Sequence, residues 1–259
     1  MWAIVVCILV VTPLLVEWRR SGQPALDFFC LGIMRLYARL YHNMWIRRHA
    51  ELPAAGPALV VANHTCSADP SFVQACARRA MSFLIAEEYF DIPGAGWLFR
   101  YMQCIPVARN GHDIRSLRTA LQRLKNGRLL CLFPEGSLSG TGRGRMRTAK
   151  RGAAFLALRS GAPIYPAFIV GGPQHTHVPS AWLLPSRGGI VLGHPVDLSA
   201  YRGRRIDRKL LEEVGALLVR RIAALDPDAG RRAKWRSPLG ENPCDRKRRR
   251  ARKKALSAV

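Results

Sequence analysis

A histidine and an aspartate lie at a spacing that suits acid–base chemistry. His64 and Asp69 are five residues apart in the run NHTCSAD, residues 63–69. Histidine titrates closest to neutral pH, and a carboxylate beside it can orient the ring, so this pair could remove a proton from a hydroxyl group. The alternative is structural, because an Asp-Pro step is typical of a helix start, with Asp69 as the N-cap before Pro70.

A second motif follows about seventy residues after the histidine. An apolar run ends there in FPEGS, residues 133–137, which contains Glu135, Gly136 and Ser137. This motif, in this order and at this interval after a histidine–aspartate pair, is hard to obtain by accident. The two motifs together indicate one shared site.

These motifs and two others resemble the glycerophospholipid acyltransferase family, whose bacterial archetype is 1-acyl-glycerol-3-phosphate acyltransferase. The four blocks in order are residues 63–69, 104–109 (CIPVAR), 133–139 (FPEGSLS) and 162–167 (APIYPA). The run KRGAA, which begins at Lys150, is similar to a lysine-glycine helix start that the family places between its third and fourth blocks. The resemblance covers roughly residues 47–227.

The resemblance implies a membrane-associated O-acyltransferase. It would move a fatty acyl group from acyl-CoA or acyl-carrier protein to the hydroxyl of a lysophospholipid, with 1-acyl-glycerol-3-phosphate, giving phosphatidic acid, as the first expectation. His64 would be the general base and Asp69 the orienting carboxylate. No cofactor is expected beyond the acyl-CoA or acyl-carrier protein co-substrate.

The same resemblance implies an acceptor site formed by Arg109, Glu135, Gly136 and Ser137. Arg109 would contact the acceptor phosphate, and Glu135 the glycerol hydroxyls or a neighbouring cation. The two prolines of the fourth block would shape the wall on the acyl side. One position departs from the family pattern, because Leu138 stands where the third block usually has an arginine.

The segment directly after the third block is rich in glycine and arginine. Residues 139–147 read SGTGRGRMR. Arg143, Arg145 and Arg147, together with backbone amides of the glycines, could gather a phosphate and supply the cation that Leu138 does not. A solvated flexible loop is the alternative.

The charge of the chain fits an anionic partner. Lys and Arg number 41 against 17 Asp and Glu, which gives +24. The last 29 residues, 231–259, hold twelve basic and two acidic residues, so residues 1–230 keep 29 minus 15, or +14. An anionic membrane, an acidic substrate or carrier, or nucleic acid would suit such a surface.

The charge alone would also fit a non-catalytic module that binds nucleic acid or membranes. That interpretation leaves the four ordered blocks unexplained, and the basic residues do not alternate with aromatic ones as stacking platforms require. No specific nucleic-acid partner is therefore expected. Seven scattered cysteines without a C-x-x-C pair argue against a zinc site and a disulfide framework.

Two apolar segments precede the motifs. Residues 2–16 are apolar, a borderline length for a membrane span of about twenty residues, and the following Arg19 and Arg20 favour a cytoplasmic position for the rest of the chain. Apolar residues recur at helical spacing over Ala25–Ile46, which predicts a helix that packs on the domain or lies in a bilayer interface.

We therefore predict three parts. Residues 1–46 would form membrane-embedded or interfacial helices, an apolar helical pair. Residues 47–228 would form the acyltransferase domain, and residues 229–259 a basic, disordered tail. The protein would act at a membrane, on its cytoplasmic face.

Within the central part, apolar runs predict five buried strands with helical patterns between them. The strands are residues 59–62, 82–86, 129–133, 164–170 and 190–192, and the helices are residues 70–79, 113–126, 148–160 and 206–225. This alternation predicts an α/β domain with a largely parallel or mixed sheet flanked by helices. Sites in such sheets form beyond the C-terminal ends of strands, where both His64 and Glu135 fall.

Three further residues and one further reaction allow other interpretations of the sequence. Cys66 could be a thiol nucleophile, but nothing else indicates a covalent intermediate, so a small buried residue is favoured. His175 and His177 could offer two metal ligands, but no third is evident, so a polar loop and no metal site are expected. A thioester hydrolase that uses His64 and Asp69 on water remains an alternative.

Overall fold

The computed structural model describes residues 16–19, 24–108, 113–138, 146–173 and 178–229. The strands in these ranges form one seven-stranded sheet. Helices pack against the two faces of the sheet in two apolar layers.

These ranges contain seven strands and seven α-helices of at least six residues. The strands are β1 Met44–Arg48, β2 Ala58–Ala62, β3 Met81–Ala86, β4 Ile105–Val107, β5 Leu129–Leu132, β6 Ile164–Gly171 and β7 Gly188–Leu192. The helices are α1 Ala25–Leu36, α2 Asp69–Gln74, α3 Ala95–Tyr101, α4 Ile114–Lys125, α5 Arg151–Ser160, α6 Val178–Leu183 and α7 Arg208–Ala223. A π-helical turn spans Tyr37–Tyr41, and 3₁₀ segments span Glu87–Asp91 and Ser199–Tyr201.

The sheet is mixed, in agreement with the expectation from the sequence. Its strand order is β1-β7-β6-β2-β5-β3-β4, and all neighbouring pairs are parallel except β6 with β7. The central strand β2 aligns Val61 with Leu132 of β5 and Ala62 with Ala167 of β6. The segments that follow β2 and β5 therefore leave the sheet at the same edge, which is where a site in a parallel sheet forms.

The strand β2 separates the two apolar layers. Leu59 and Val61 pack in the layer that includes α4, α5 and α7, whereas Val60 and Ala62 pack in the layer that includes α2. All five residues of β2 are buried, as the continuous apolar run predicts for a central parallel strand.

The helix predicted over Ala25–Ile46 is shorter than expected. It ends at Leu36, continues as the π-helical turn, and gives way to β1, whose Met44 is buried. Asn43, which adopts a positive φ of 38°, marks the change of direction. The prediction was wrong at this end because β1 is created by pairing with β7, a partner far away in the chain.

Helix α2 also ends early, at Gln74 rather than Arg79. The Gln74 side chain bonds the turn to β3, since its Oε1 accepts the Met81 amide at 2.8 Å and its Nε2 donates to the Arg79 carbonyl at 3.0 Å. The Arg79 guanidinium donates to the carbonyls of Pro53, Gly56 and Gly127 and ties three loops together. These contacts are non-local, so helical spacing alone did not reveal them.

The predicted outer segments lie largely outside the described residues. The residues that the structure does not describe include the apolar run at residues 2–15 and the tail from residue 230 onward. They also include the internal segment 109–112. Within the described ranges, no helix is both long and apolar enough to cross a membrane. The chain divides into two units after Leu225, and the described start of the second is a turn in which the Ala229 amide donates to the Asp226 carbonyl. The predicted boundaries at residues 46 and 228 stay predictions.

Candidate active site

The histidine and aspartate of the first motif form a hydrogen-bonded pair. His64 follows β2, and its Nδ1 lies 2.9 Å from Oδ2 of Asp69 at the start of α2. The Asp69 side chain is fully buried, and the His64 side chain keeps 18% of its surface exposed. Because Oδ2 also accepts two backbone amides, Nδ1 must carry the shared hydrogen. This tautomer makes Nε2 the ring nitrogen that can take up a proton.

The turn at residues 63–69, here named the catalytic turn, is wrapped around the Asp69 carboxylate. Oδ2 accepts the backbone amides of Thr65 and Cys66, and Oδ1 accepts the Thr65 hydroxyl at 2.9 Å. All of these donors precede Asp69 in the chain, and no side-chain cap is recorded at the start of α2. The N-cap interpretation of Asp69 is therefore wrong, and the carboxylate instead fixes the turn that carries His64.

Cys66 completes this arrangement as a donor. Its Sγ lies 3.2 Å from Oδ1 of Asp69, and the residue is buried. Burial, followed by the negative charge of Asp69, raises the pKa of the thiol well above its usual range. A thiol with a raised pKa holds almost no thiolate at neutral pH, so the geometry opposes a role as nucleophile.

The third block supplies a platform for the histidine ring. Phe133, the residue after β5, stacks on His64 with ring centroids 4.0 Å apart and planes 13° from parallel. On the other side of the turn, Asn63 exchanges two hydrogen bonds with the backbone of Ile169 in β6, at 2.6 and 3.0 Å. Phe133 thus supports the ring, and Asn63 anchors the start of the turn to β6.

Glu135 joins three segments of the site. It is only 4% exposed, its Oε1 accepts the backbone amide of His64 at 3.1 Å, and its Oε2 accepts that of Arg147 at 3.0 Å. Both carboxylate oxygens therefore bond to the protein itself. The predicted contact of Glu135 with glycerol hydroxyls stays a prediction.

The residues after Glu135 lie beside two cations, and we name residues 136–138 and 146–150 the cationic loop. Gly136 has a φ of +63°, and a Cβ at this position would lie 2.5 Å from Cε of Lys150. Arg147 donates from Nη1 to the Ser137 hydroxyl at 3.2 Å. Lys150 is anchored by its backbone, whose amide donates to the Pro134 carbonyl at 2.8 Å.

A cleft of about 2540 Å³ opens at this edge of the sheet, and its walls include His64, Phe133, Gly136, Ser137 and Leu138. Apolar side chains from both layers extend it. They include Phe83, Phe99 and Met102 from one layer and Leu117, Leu121 and Leu156 from the other. Among the described residues the charged lining is mostly basic, with Arg118, Arg147, Lys150, Arg151 and Arg220 against Asp113 and Glu212.

The structure brings part of the predicted site together. His64, Asp69, Glu135, Gly136 and Ser137 meet at the edge of β2 and β5, as their positions after two strands predicted. The prolines of the fourth block, Pro163 and Pro166, do not line the cleft directly, and their predicted part in shaping the wall on the acyl side stays a prediction.

The remaining predicted positions lie outside the described residues. These are Arg109, Arg143 and Arg145, and also His175 and His177. Over the ranges that the structure does describe, no group of three or more metal-ligating side chains occurs.

Sequence reasoning gave no role to Phe133 or to the Lys150 side chain. Both residues lie in sequence runs that carry the resemblance to the family. Neither the stacking of Phe133 nor the path of Lys150 over Gly136 can be read from spacing, because each contact joins separate segments of the chain.

Comparisons with known proteins find acyltransferases. Residues 43–170 match the acyltransferase family model. A chloroplastic 1-acyl-sn-glycerol-3-phosphate acyltransferase of Arabidopsis thaliana is 27% identical over 146 residues, 54% of this chain and 40% of the relative. An N-acylphosphatidylethanolamine synthase of the same plant is 32% identical over 124 residues, 44% of this chain and 43% of the relative. The chain thus matches less than half the length of these relatives.

A solved structure shares the fold. The 1-acyl-sn-glycerophosphate acyltransferase of Thermotoga maritima superposes with a TM-score of 0.60, over 87% of this chain and 93% of that one, at 23% sequence identity.

Proposed function

The chain belongs to the acyltransferase family, and from this premise we propose that it transfers a fatty acyl group from an acyl thioester to the hydroxyl of a lysophospholipid. The first acceptor to consider is 1-acyl-glycerol-3-phosphate, with phosphatidic acid as the product. This choice is supported by the acceptor that the Arabidopsis and Thermotoga relatives carry in their names. Acyl-CoA or acyl-carrier protein would be the donor.

The observation that carries the proposal is the hydrogen bond between His64 and Asp69 at the wall of the cleft. Nε2 of His64 takes the proton of the acceptor hydroxyl while the oxygen attacks the thioester carbonyl carbon. Asp69 stabilises the imidazolium that forms. When the carbon–sulfur bond breaks, the imidazolium returns the proton to the leaving thiolate, which gives a free thiol and a new ester.

This mechanism needs no acyl-enzyme, because donor and acceptor are bound together and proximity lowers the barrier. The contacts of Cys66 support this choice. Its thiol is buried and serves as a hydrogen-bond donor to Asp69. The apolar walls of the cleft suit fatty chains, and its basic lining suits an acceptor or donor that carries phosphate.

We also propose that the protein acts on the cytoplasmic face of a membrane. Apolar side chains line one side of α1 and the π-helical turn at helical spacing and are exposed: Leu26, Phe29, Ile33, Leu36 and Leu40. Exposed apolar residues in such a row are typical of an interface with lipid or protein. A lysolipid and a long-chain product would enter and leave most directly from a bilayer.

The first experiment compares His64→Ala with His194→Ala. His194 is exposed and does not line the cleft, so its replacement controls for the loss of a histidine. With labelled acyl-CoA and lysophosphatidic acid in detergent, His64→Ala is expected to lose at least about 10²-fold in rate, the usual range for loss of a general base. A His64→Ala variant that keeps more than about a tenth of the activity contradicts the assignment.

The destination of the label tests the reaction class in the same assay. Transfer predicts label in phosphatidic acid. Label in free fatty acid, whether or not lysolipid is present, would instead favour a thioester hydrolase that uses the same pair on water.

A further inference from the structure

The acceptor site lacks a cation at the position where the family usually carries one. Leu138 stands there, and it lines the cleft. If the acceptor carries a phosphate, another positive group must face it, because a phosphate without one would lose the hydration it had in water. Two described cations are hydrogen-bonded to the segment just before Leu138. Arg147 donates to the Ser137 hydroxyl, and the Lys150 amide donates to the Pro134 carbonyl.

The path of the Lys150 side chain is the most specific observation. A Cβ built on Gly136 would lie 2.6 Å from Cδ, 2.5 Å from Cε and 2.7 Å from Nζ of Lys150. The stem and ammonium of the lysine therefore run directly over the glycine. The positive φ at Gly136 is one reason for a glycine at this position. The lysine is a second reason, because a side chain on residue 136 would displace the Lys150 side chain.

The oxygens of the nearby carboxylates bond to other groups and form no ion pair with this ammonium. Both oxygens of Glu135 accept backbone amides, and Asp69 is buried among its own donors. Within the described part of the chain, the Lys150 ammonium makes no hydrogen bond or ion pair. Arg147 adds a second positive charge on the same loop, through its contact with Ser137.

We propose that Lys150, with Arg147 beside it, binds the phosphate of the acceptor and so takes the place of the arginine absent at position 138. This inference rests on the proposed acylation of a lysophospholipid. Glu135 links the loop to the backbone of His64, so a phosphate over Gly136 lies beside the general base. In lysophosphatidic acid the phosphate and the free hydroxyl are on adjacent or nearly adjacent carbons, which suits this arrangement.

The test compares Lys150→Met, which keeps an unbranched stem without charge, with Lys150→Arg, which keeps the charge. Lys125→Met, on the exposed end of α4 and outside the cleft, is the matched control. Each protein is assayed with lysophosphatidic acid and with monoacylglycerol, which lacks the phosphate. Lys150→Met is expected to raise the KM for lysophosphatidic acid at least about tenfold, because charge-assisted contacts are the stronger hydrogen bonds.

The rise should be confined to one substrate. The KM values for monoacylglycerol and for the acyl donor should stay within about twofold, and Lys150→Arg should recover most of the loss. An equal rise for both acceptors, or none for lysophosphatidic acid, overturns the inference.

Equilibrium binding without a donor separates this inference from the proposed reaction. Lysophosphatidic acid and monoacylglycerol are titrated into the wild type and Lys150→Met in the same detergent. Tighter binding of lysophosphatidic acid by the wild type, lost in Lys150→Met, supports the phosphate site even if label ends in free fatty acid. Equal binding by both proteins overturns it even if the wild type forms phosphatidic acid.

Discussion

The catalytic turn and the cationic loop lie side by side but are built in opposite ways. In the catalytic turn, the buried Asp69 accepts bonds from neighbours within five residues, two from backbone amides and three from side chains. In the cationic loop, Arg147 and Lys150 are exposed and lie on long side chains. Proton transfer requires a base held within hydrogen-bond distance, whereas binding a phosphate tolerates a mobile charge. The difference predicts where substitutions damage chemistry and where they damage binding.

Apart from the replacement of His64 itself, replacing Asp69 should have the largest effect. In Asp69→Asn the amide oxygen can take the place of Oδ2 and keep the bonds from His64, Thr65 and Cys66, while the amide nitrogen faces the Thr65 hydroxyl, which can accept. The fold and the tautomer should therefore persist, and only the charge that stabilises the imidazolium is lost. We expect the rate to fall about 10²-fold, less than in His64→Ala.

Asp69→Ala sharpens this prediction. It leaves the buried amides of Thr65 and Cys66 without an acceptor, and each should cost about 1–3 kcal/mol of unfolding free energy. Chemical denaturation of the two variants measures the difference. If Asp69→Asn is as unstable as Asp69→Ala, the carboxylate matters for the fold more than for proton transfer.

Glu135 connects the two regions, so its replacement should affect both. In Glu135→Gln the amide nitrogen must face one of the two backbone donors, His64 or Arg147, and that hydrogen bond is lost. The loss should cost about 1–3 kcal/mol and lower kcat/KM by about tenfold or more. Glu212→Gln, on the exposed rim of the same cleft, is the control and should stay near the wild type. Similar losses in both variants would show that cleft charge, rather than the link, is responsible.

Replacing Cys66 tests how far the activity depends on the weakest hydrogen-bond donor to Asp69. Cys66→Ser keeps a donor to Asp69, and Cys66→Ala removes it but leaves the Thr65 hydroxyl on the same oxygen. A typical hydrogen bond contributes about 0.5–1.5 kcal/mol net, and a thiol less, so Cys66→Ala should lose only about two- to threefold in kcat/KM. A loss in kcat/KM as large as that of His64→Ala would instead support the thiol as a nucleophile.

The smallest expected effect is on how the unfolding free energy depends on pH, through a histidine that packs against α2. His42 is buried, its Nδ1 lies 2.8 Å from the Ser186 hydroxyl, its Nε2 lies 2.8 Å from the Tyr37 hydroxyl, and its ring contacts Phe72 of α2 edge-on. Burial lowers the pKa of His42 below its usual value. The unfolded chain then binds a proton at a higher pH than the folded protein does. The contribution of His42 is therefore present above an unfolded pKa of about 6.5 and is lost as the pH falls below it.

Replacement of His42 by a residue that does not titrate should remove this dependence. For His42→Gln, the unfolding free energy should fall less steeply below about pH 6.5 than in the wild type, by up to about 1.4 kcal/mol per pH unit. Denaturation curves between pH 7 and 5 measure the slope independently of any constant destabilisation. Parallel slopes would show that His42 is not neutral in the folded protein.

The sequence by itself determined the local features of this protein. The apolar runs located β2, β3, β5, β6 and β7, because strands that are largely buried in a sheet are made mostly of apolar residues. The spacing of His64 and Asp69 allowed their contact, since five residues can close into a single turn, but it also fitted a helix N-cap. The expectation that His64 and Glu135 share a site followed from their places after two parallel strands.

Only the tertiary structure decided the rest, because the contacts involved join segments that are distant in the chain. The edge strand β1 exists through its pairing with β7, and no local pattern distinguished it from the preceding helix. The same holds for Phe133 under the His64 ring and for Lys150 over Gly136. Spacing shows which residues occupy one face of one element, but the side chains that meet across elements depend on how the strands are ordered in the sheet.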